Sequence, residues 1–263
     1  MGMDILKQMT PIGLDEMKSV RLMNRVDQKY MVSACLLESL LAPIANDYYV
    51  QHIEGNPIAP YRTLYFDTDE LTMYTMHHNQ KLNRQKLRVR TYRSTDTTFF
   101  EIKNKDNKKK THKIRIPIDV SQFDYANEIP EVVDFVEKNT PYTFNAQTPT
   151  PNVLHPCLEN RFERITLVDR GMTERVTIDR NIQFHNRATG IDTDIPQLLV
   201  IEVKHEVGAP MSTIERTLHE LHILPRRMSK YCIGTALTNP TAKTNRFKAK
   251  LLYIDKIKAI SGC

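Results

Sequence analysis

Lysine and arginine recur at every second position through much of this 263-residue sequence, and that spacing is where chemistry would reside. In Lys86-Leu-Arg88-Val-Arg90-Thr-Tyr92 and Phe99-Phe-Glu101-Ile-Lys103 the charged set is as regular as the apolar one. Period two is the period of a β-strand, whose side chains alternate between two faces. The same alternation puts Asp27 and Lys29, Lys113 and Arg115, Arg164, Arg175 and Asp179, and Glu202 and Lys204 on one face. Opposite them stand Val26, Gln28, Tyr30, Leu87, Val89, Phe100, Ile102, Ile114, Ile116, Val176, Ile178, Ile201 and Val203; only Gln28 is neither apolar nor aromatic. Guanidinium groups make planar bidentate contacts to phosphate oxygens, and a carboxylate among them would carry a divalent cation bridging phosphates.

A solvated sheet face usually mixes Ser, Thr, Gln and Lys. Here arginine recurs over six or seven strands with single carboxylates between. Burying so many like charges around an empty cavity would be prohibitive. They are tolerable if the sheet closes on a wet lumen that holds a polyanion, so the charged face is expected inside. Net charge of +6 agrees with an anionic partner without naming one.

Other chemistries lack their usual motifs. The eight glycines are isolated, with neither a P-loop nor a G-x-G-x-x-G cradle, so phosphate would be held by side chains. HExxH and G-x-S-x-G are absent. Cys35, Cys157, Cys232 and Cys263 have no C-x-x-C spacing, which argues against structural zinc or a disulfide framework. No secretory h-region and no run of ~18 apolar residues is found, so a cytoplasmic protein is expected.

The elements that must position these residues follow from pattern. Helices are expected over 13–23, 34–47 with Ser33 as cap, a short stretch after 70, 130–139, 209–221, 228–239 and 247–259. Strands are expected over 25–32, 61–70, 85–94, 97–104, 112–118, 158–169, 174–184 and 196–206, with 140–152 a loop. That is an α+β fold, one domain over 1–263. His77-His78 and His219/His222 read as surface residues. Lys108-Lys-Lys110 reads as a solvated hairpin tip beyond the Asp106-Asn107 turn.

The ordered set RVDQKY (25–30), YRTLYFDT (61–68), KLRVRTY (86–92), FFEIKNK (99–105), HKIRIPI (112–118), FERITLVD (162–169), RVTIDRNI (175–182), VIEVK (200–204) and RMSKYCIG (227–234) resembles the VTC domain of polyphosphate polymerases, within the triphosphate tunnel metalloenzyme superfamily. The resemblance spans nearly the whole chain. It implies an eight-stranded antiparallel β-barrel tunnel with flanking helices, binding ATP and inorganic polyphosphate with Mn²⁺ or Mg²⁺. By position it implies that Lys29, Arg88, Arg90, Lys103, Lys113, Arg115, Arg164 and Arg175 line the tunnel and grip phosphates. Arg227, Ser229 and Lys230 fall on the family's K-x-S-K contacts, with Tyr231 supporting them, and Glu202 would hold the metal. Arg88, Arg90, Lys103, Arg164 and Lys230 would act on the transferred phosphoryl group.

Two positions depart from the wider superfamily. Its E-x-E-x-K strand is Arg25-Val-Asp27-Gln-Lys29 here, leaving fewer metal ligands, and Arg227 stands for a lysine. Relatives also carry an SPX domain and membrane helices; neither is expected in these residues, so a membrane partner would be encoded separately. Two alternatives stay open. One is a tripolyphosphatase or nucleoside triphosphatase, with Glu101 or Asp27 positioning water. The other is a polyphosphate-binding module without turnover. Nucleic acid is not expected, because the strand faces lack interleaved aromatics for stacking on bases.

Overall fold

The structure, a computed structural model, describes residues 3–17, 25–108, 110–147 and 150–260. Its strands are β1 (Thr10–Ile12), β2 (Arg25–Ser33), β3 (Tyr48–Gln51), β4 (Ile58–Asp67), β5 (Arg84–Tyr92), β6 (Thr97–Lys105), β7 (Thr111–Ile118), β8 (His155–Asp169), β9 (Glu174–Asn186), β10 (Asp192–Ile195) and β11 (Leu198–Glu206). Its helices are α1 (Met3–Gln8), α2 (Leu14–Met17), α3 (Leu37–Leu41), α4 (Thr72–His78), α5 (Pro130–Asn139), α6 (Thr213–Glu220), α7 (Lys230–Thr238) and α8 (Lys248–Lys258).

Eight strands follow one antiparallel path, β2-β11-β9-β8-β4-β5-β6-β7. The α+β class and the eight-stranded antiparallel path with flanking helices are as expected. β2 and β7, at the ends of the path, share no ladder among the described residues. The sheet is nevertheless rolled: four strands separate β2 from β5, yet Lys29 and Lys86 are electrostatic neighbours. The segment before α7 spans one end of the roll. Arg226 N–H donates to the Lys29 carbonyl of β2 at 2.6 Å, and Lys86 of β5 donates to Ser229 Oγ at 2.7 Å.

Alternation decides which face packs where. Tyr30, Val32, Ile165, Leu167, Val176, Ile178, Ile201 and Val203 point outward against α1, α3 and α6. On the other flank Leu64, Phe66, Leu87, Val89, Phe100 and Ile102 meet Phe123, Val132 and Val136 of the 3₁₀ turn at Val120–Glu128 and α5. Gln28, the polar exception on this outward face, accepts a 2.9 Å hydrogen bond from Tyr30 Oη. At one end the inner face is itself apolar. Met31, Tyr61, Tyr65, Leu158, Phe162 and Val200 pack on Tyr231, Cys232 and Ile254 of α7 and α8. These helices plug that side of the roll.

Local chemistry sets the joints. The Asp169 carboxylate accepts from the Thr173 and Glu174 N–H groups at 2.7 and 2.6 Å, closing the β8–β9 hairpin. Capping boxes open the 3₁₀ turn after Asp119 and α6 after Ser212. Pro117 is tolerated in β7, which among the described residues pairs only with β6 and so is an edge strand.

Several expectations are corrected. The helix expected over 34–47 is three short pieces, because Pro43 interrupts it and opens a second 3₁₀ turn. Of the helix expected over 13–23, only Leu14–Met17 is helical among described residues; 18–23 lie outside them. His77 and His78 end α4 rather than follow it, and His78 is buried, its ring edge-on to Phe247 at 5.3 Å. β1, β3 and β10 were not legible as strands: each is three or four residues long, too short for a periodic signal.

Candidate functional site

On the inner face, where Asp27 of β2 stands opposite Lys204, three further carboxylates each hold two cations. Glu101 of β6 accepts from Arg88 of β5 at 2.5 and 2.7 Å and from Lys113 of β7 at 3.0 Å. Asp179 of β9 accepts from Arg164 of β8 at 2.6 and 2.8 Å and from Lys230 at the start of α7. Glu202 of β11 lies 2.6 Å from Lys29 of β2 and also pairs with Lys204. The register makes these clusters: Arg88 is opposite Glu101, Glu101 opposite Arg115, Arg164 opposite Asp179, and Glu202 opposite Lys29.

Electrostatics follow from crowding. Burial works to raise the Glu101 carboxyl, but Arg88, Arg90 and Lys113 outweigh it and hold it at about 2. Burial likewise opposes Asp179 and Glu202, and Arg164 with Lys230, and Lys29 with Lys204, keep them well below the usual carboxylate range. All three stay ionised.

Cations outnumber these carboxylates. Among the described residues Arg90 donates only to Thr63 Oγ1, at 3.1 Å, and its guanidinium lies 5.6 Å from the Tyr61 ring centroid. Lys103 has no ion pair among the described residues; Arg88, then burial, then Arg90 push its ammonium well below its ordinary value. Burial brings Lys86 to about 8, with Arg84, Lys29 and Arg88 adding to the effect and only Cys232 opposing it. Lys230 is also brought to about 8, by burial against the opposing pull of Asp179. Such a set of surplus cations can bind an extended anion whose oxygens are presented on several sides.

Not every expected residue joins the cage. Lys29, Arg88, Arg90, Lys103, Lys113, Arg164, Arg175, Glu202 and Lys230 occupy inward positions on the strands or, for Lys230, at α7. Arg115 is inward by register but solvent-exposed on β7, stacked at 4.0 Å on Phe99. Ser229 caps α7 and receives Lys86, while Arg227 is exposed outside the cage. Tyr231 is buried in the plug, where its hydroxyl donates to Asp67; that carboxylate also caps Thr68, Met73 and Tyr74 N–H groups. Tyr231 therefore seats α7 and has no open face toward a substrate. Lys86 was visible in the charged alternation but was not carried into the site, and Lys204 likewise. Their strand parity was the available signal.

The donor set for a metal is sparse. Among the described residues no three His, Cys, Asp or Glu side chains converge to cage a cation. Glu202 alone, flanked by Lys29 and Lys204, fits Mg²⁺ or Mn²⁺ only where phosphate oxygens and water complete the shell.

The model of the VTC domain family matches residues 24–239. The chain belongs to the VTC domain family. No curated protein matches this VTC domain significantly. Among solved structures, an adenylyl cyclase candidate from Hippeastrum, described as having a dominant triphosphatase activity, is similar at 12% identity. That match covers 82% of this chain and 98% of the other, with a TM-score of 0.48. The PH1819 protein of Pyrococcus horikoshii OT3 is similar at 14% identity, covering 81% of this chain and 98% of the other, with a TM-score of 0.42. No described helix is long and apolar enough to cross a membrane.

Proposed function

We propose that this VTC domain is an ATP-dependent polyphosphate polymerase. The observation that carries the reading is the charge pattern of the inner face: Glu101, Asp179 and Glu202 are each already shared by two cations, while Arg90, Lys103 and Lys86 have no carboxylate partner among the described residues. The family membership supports it, through the resemblance to polyphosphate polymerase domains.

In this reading Arg88, Arg90, Lys103, Arg164 and Lys230 grip the ATP triphosphate and stabilise charge spread over the γ-phosphoryl oxygens. Lys29, Lys113, Arg115 and Arg175 extend the cationic lining. A terminal oxygen of the growing chain forms the new bond to phosphorus as the bond to the ADP oxygen breaks, with ADP leaving. Such transfer needs positioning and charge neutralisation rather than a covalent protein nucleophile. A Mn²⁺ or Mg²⁺ held by Glu202 and phosphate oxygens would supply further neutralisation. The wall of Tyr61 and Phe162, stacked at 5.0 Å, and the α7 plug keep water from one side of the site. Glu101, committed to Arg88 and Lys113, is poorly placed to orient a hydrolytic water, which favours transfer over the triphosphatase alternative. In this reading a membrane-protein partner would take up the product.

The test is incubation with ATP and Mn²⁺, measuring polyphosphate and orthophosphate together, with Arg88→Ala and Glu202→Ala alongside. Polyphosphate with ADP, lost in both variants, supports the polymerase. Orthophosphate alone moves the domain to the triphosphatase reading, and neither product with tight polyphosphate binding makes it a receptor.

A further inference from the structure

The outer sheet face carries a groove that the inner-face chemistry does not use. Two clefts, of about 500 and about 350 Å³, share Arg161 of β8 as a common wall. The larger is lined by Gln183 and His185 of β9 and Asp192 of β10. The smaller is lined by Arg93 and Asp96 of the β5–β6 turn, with Val120 and Phe123 of the 3₁₀ turn. Register fixes the row beneath them. Thr91, Arg62, Arg161, Gln183 and Asp194 stand opposite one another across β5, β4, β8, β9 and β10. Four ladder spacings of about 4.8 Å make that row about 19 Å long.

Arg62 and Arg161 are directly opposite and repel, and Glu159 offsets this by accepting from both. Donors are left over in the groove. Arg161 donates only through Nε, at 2.8 Å, so its two Nη groups have no partner among the described residues. Arg93, outside the trio that Glu159 holds, is exposed and has no side-chain partner among the described residues; the exposed Gln183 amide has none either. The Nε of Arg187, which lines the larger cleft, is buried and unpartnered. Both ends of the row have the opposite sign. Asp96 lies at the turn, and on β10 lie exposed Asp194 and Asp192, the latter 2.9 Å from His185 Nδ1. Charge across the groove therefore runs negative, positive, negative.

We propose that this groove docks an extended segment of a partner protein, acidic at its centre and basic at its ends. The central carboxylates meet Arg161 and Arg93, and the basic ends meet Asp96 and the β10 aspartates. Exposed Val120 offers an apolar contact in the same groove. A row of about 19 Å takes about six residues of extended chain at about 3.4 Å each. A uniform polyanion such as tripolyphosphate fits poorly, because both ends of the row are acidic. The groove lies on the sheet face opposite the cage, so a docked partner leaves the inner face open. The proposal does not depend on the polymerase reading.

The test uses the full chain and a set of synthetic eight-residue peptides, read by fluorescence anisotropy. Each peptide has two glutamates or two glutamines at its centre, and lysines or glutamates at its ends. The lysine-ended, glutamate-centred peptide is expected to bind about tenfold tighter than its glutamine counterpart, with affinity falling as salt rises. Arg93→Ala combined with Arg161→Ala abolishes that preference; both side chains are exposed, so Tm stays as it is. Asp194→Lys, on a strand that pairs only with β9 among the described residues, shifts the preference toward glutamate-ended peptides. No preference for central glutamate in the wild-type protein overturns the proposal. So does a preference that survives the double variant, or one that tripolyphosphate competes away, since either places the peptide elsewhere. An end preference indifferent to Asp194→Lys overturns it as well.

Discussion

Two arginine-rich clusters lie on opposite faces of the same strands, and among the described residues only the inner one leaves cations without a carboxylate partner. On the outer face Arg62, Arg161 and Arg187 share Glu159, with contacts of 2.7 to 3.0 Å, and Asp124 joins Arg62 and Arg187. All three arginines there have carboxylate partners, and Arg62 also lies 4.0 Å over the Phe123 ring. On the inner face Arg90, Lys103 and Lys86 have no such partner among the described residues. The outer cluster staples β4 and β8 to the 3₁₀ turn. The inner cluster holds its cations close together against their mutual repulsion, which an anion relieves. A cleft of about 500 Å³ beside Arg161 opens on the outer side.

The contrast is broken most directly by activity. Arg90→Ala is expected to reduce ATP turnover about 10³-fold, the loss typical of a donor to the reacting oxygens. Arg161→Ala is expected to leave turnover as it is. Equal losses in ADP release would erase the distinction between the faces.

Stability sharpens it. Asp179→Asn leaves Arg164 and Lys230 without their carboxylate and is expected to lower unfolding free energy by about 3 kcal/mol in urea titrations. Tripolyphosphate restores much of that loss. Glu159→Gln is expected to destabilise comparably, with no recovery on adding the anion.

Ligand linkage gives a smaller effect. Tripolyphosphate at a hundred times its Kd is expected to stabilise the wild-type protein by about 2.7 kcal/mol, read as a rise in Tm of several degrees. A wild-type Tm indifferent to the anion would falsify the idea that the inner face is poised for it.

The smallest effect is in pH. Lys86 and Lys230 sit at about 8, below the ordinary lysine value because of burial. Anion binding favours their charged forms, so affinity is full below about 8 and falls as pH rises through it, several-fold for each lost charge. Calorimetric titrations on either side of about 8 read this directly. A pH-independent affinity would remove both lysines from the site.

Much of the cage was legible because it rests on strand parity. Lys29, Arg88, Arg90, Lys103, Lys113 and Arg164 each fall on the inward face that period two assigns. Parity fails where strands bulge. Asn181 has positive φ, 48°, and lies where the β8–β9 register shifts, so Ile182 and Phe184 return inward to the plug. A strict alternation over 174–184 would have turned them outward. Gly234 belongs to the same close contact: a Cβ there would lie 2.4 Å from Phe184 Cδ1 and 2.7 Å from Leu158 Cδ2. Nothing local to α7 in the sequence announces that approach.

By itself the sequence determined the eight strands of the main path, their two faces away from the bulge and which face carried charge, because those depend on residue type and a two-residue period. Only the tertiary structure decided which carboxylate meets which cation, which cations are left over and which end of the roll is plugged. Those facts depend on register, on bulges and on the packing of α7 and α8 against strands far away in the chain, and long-range proximity leaves no local period to read.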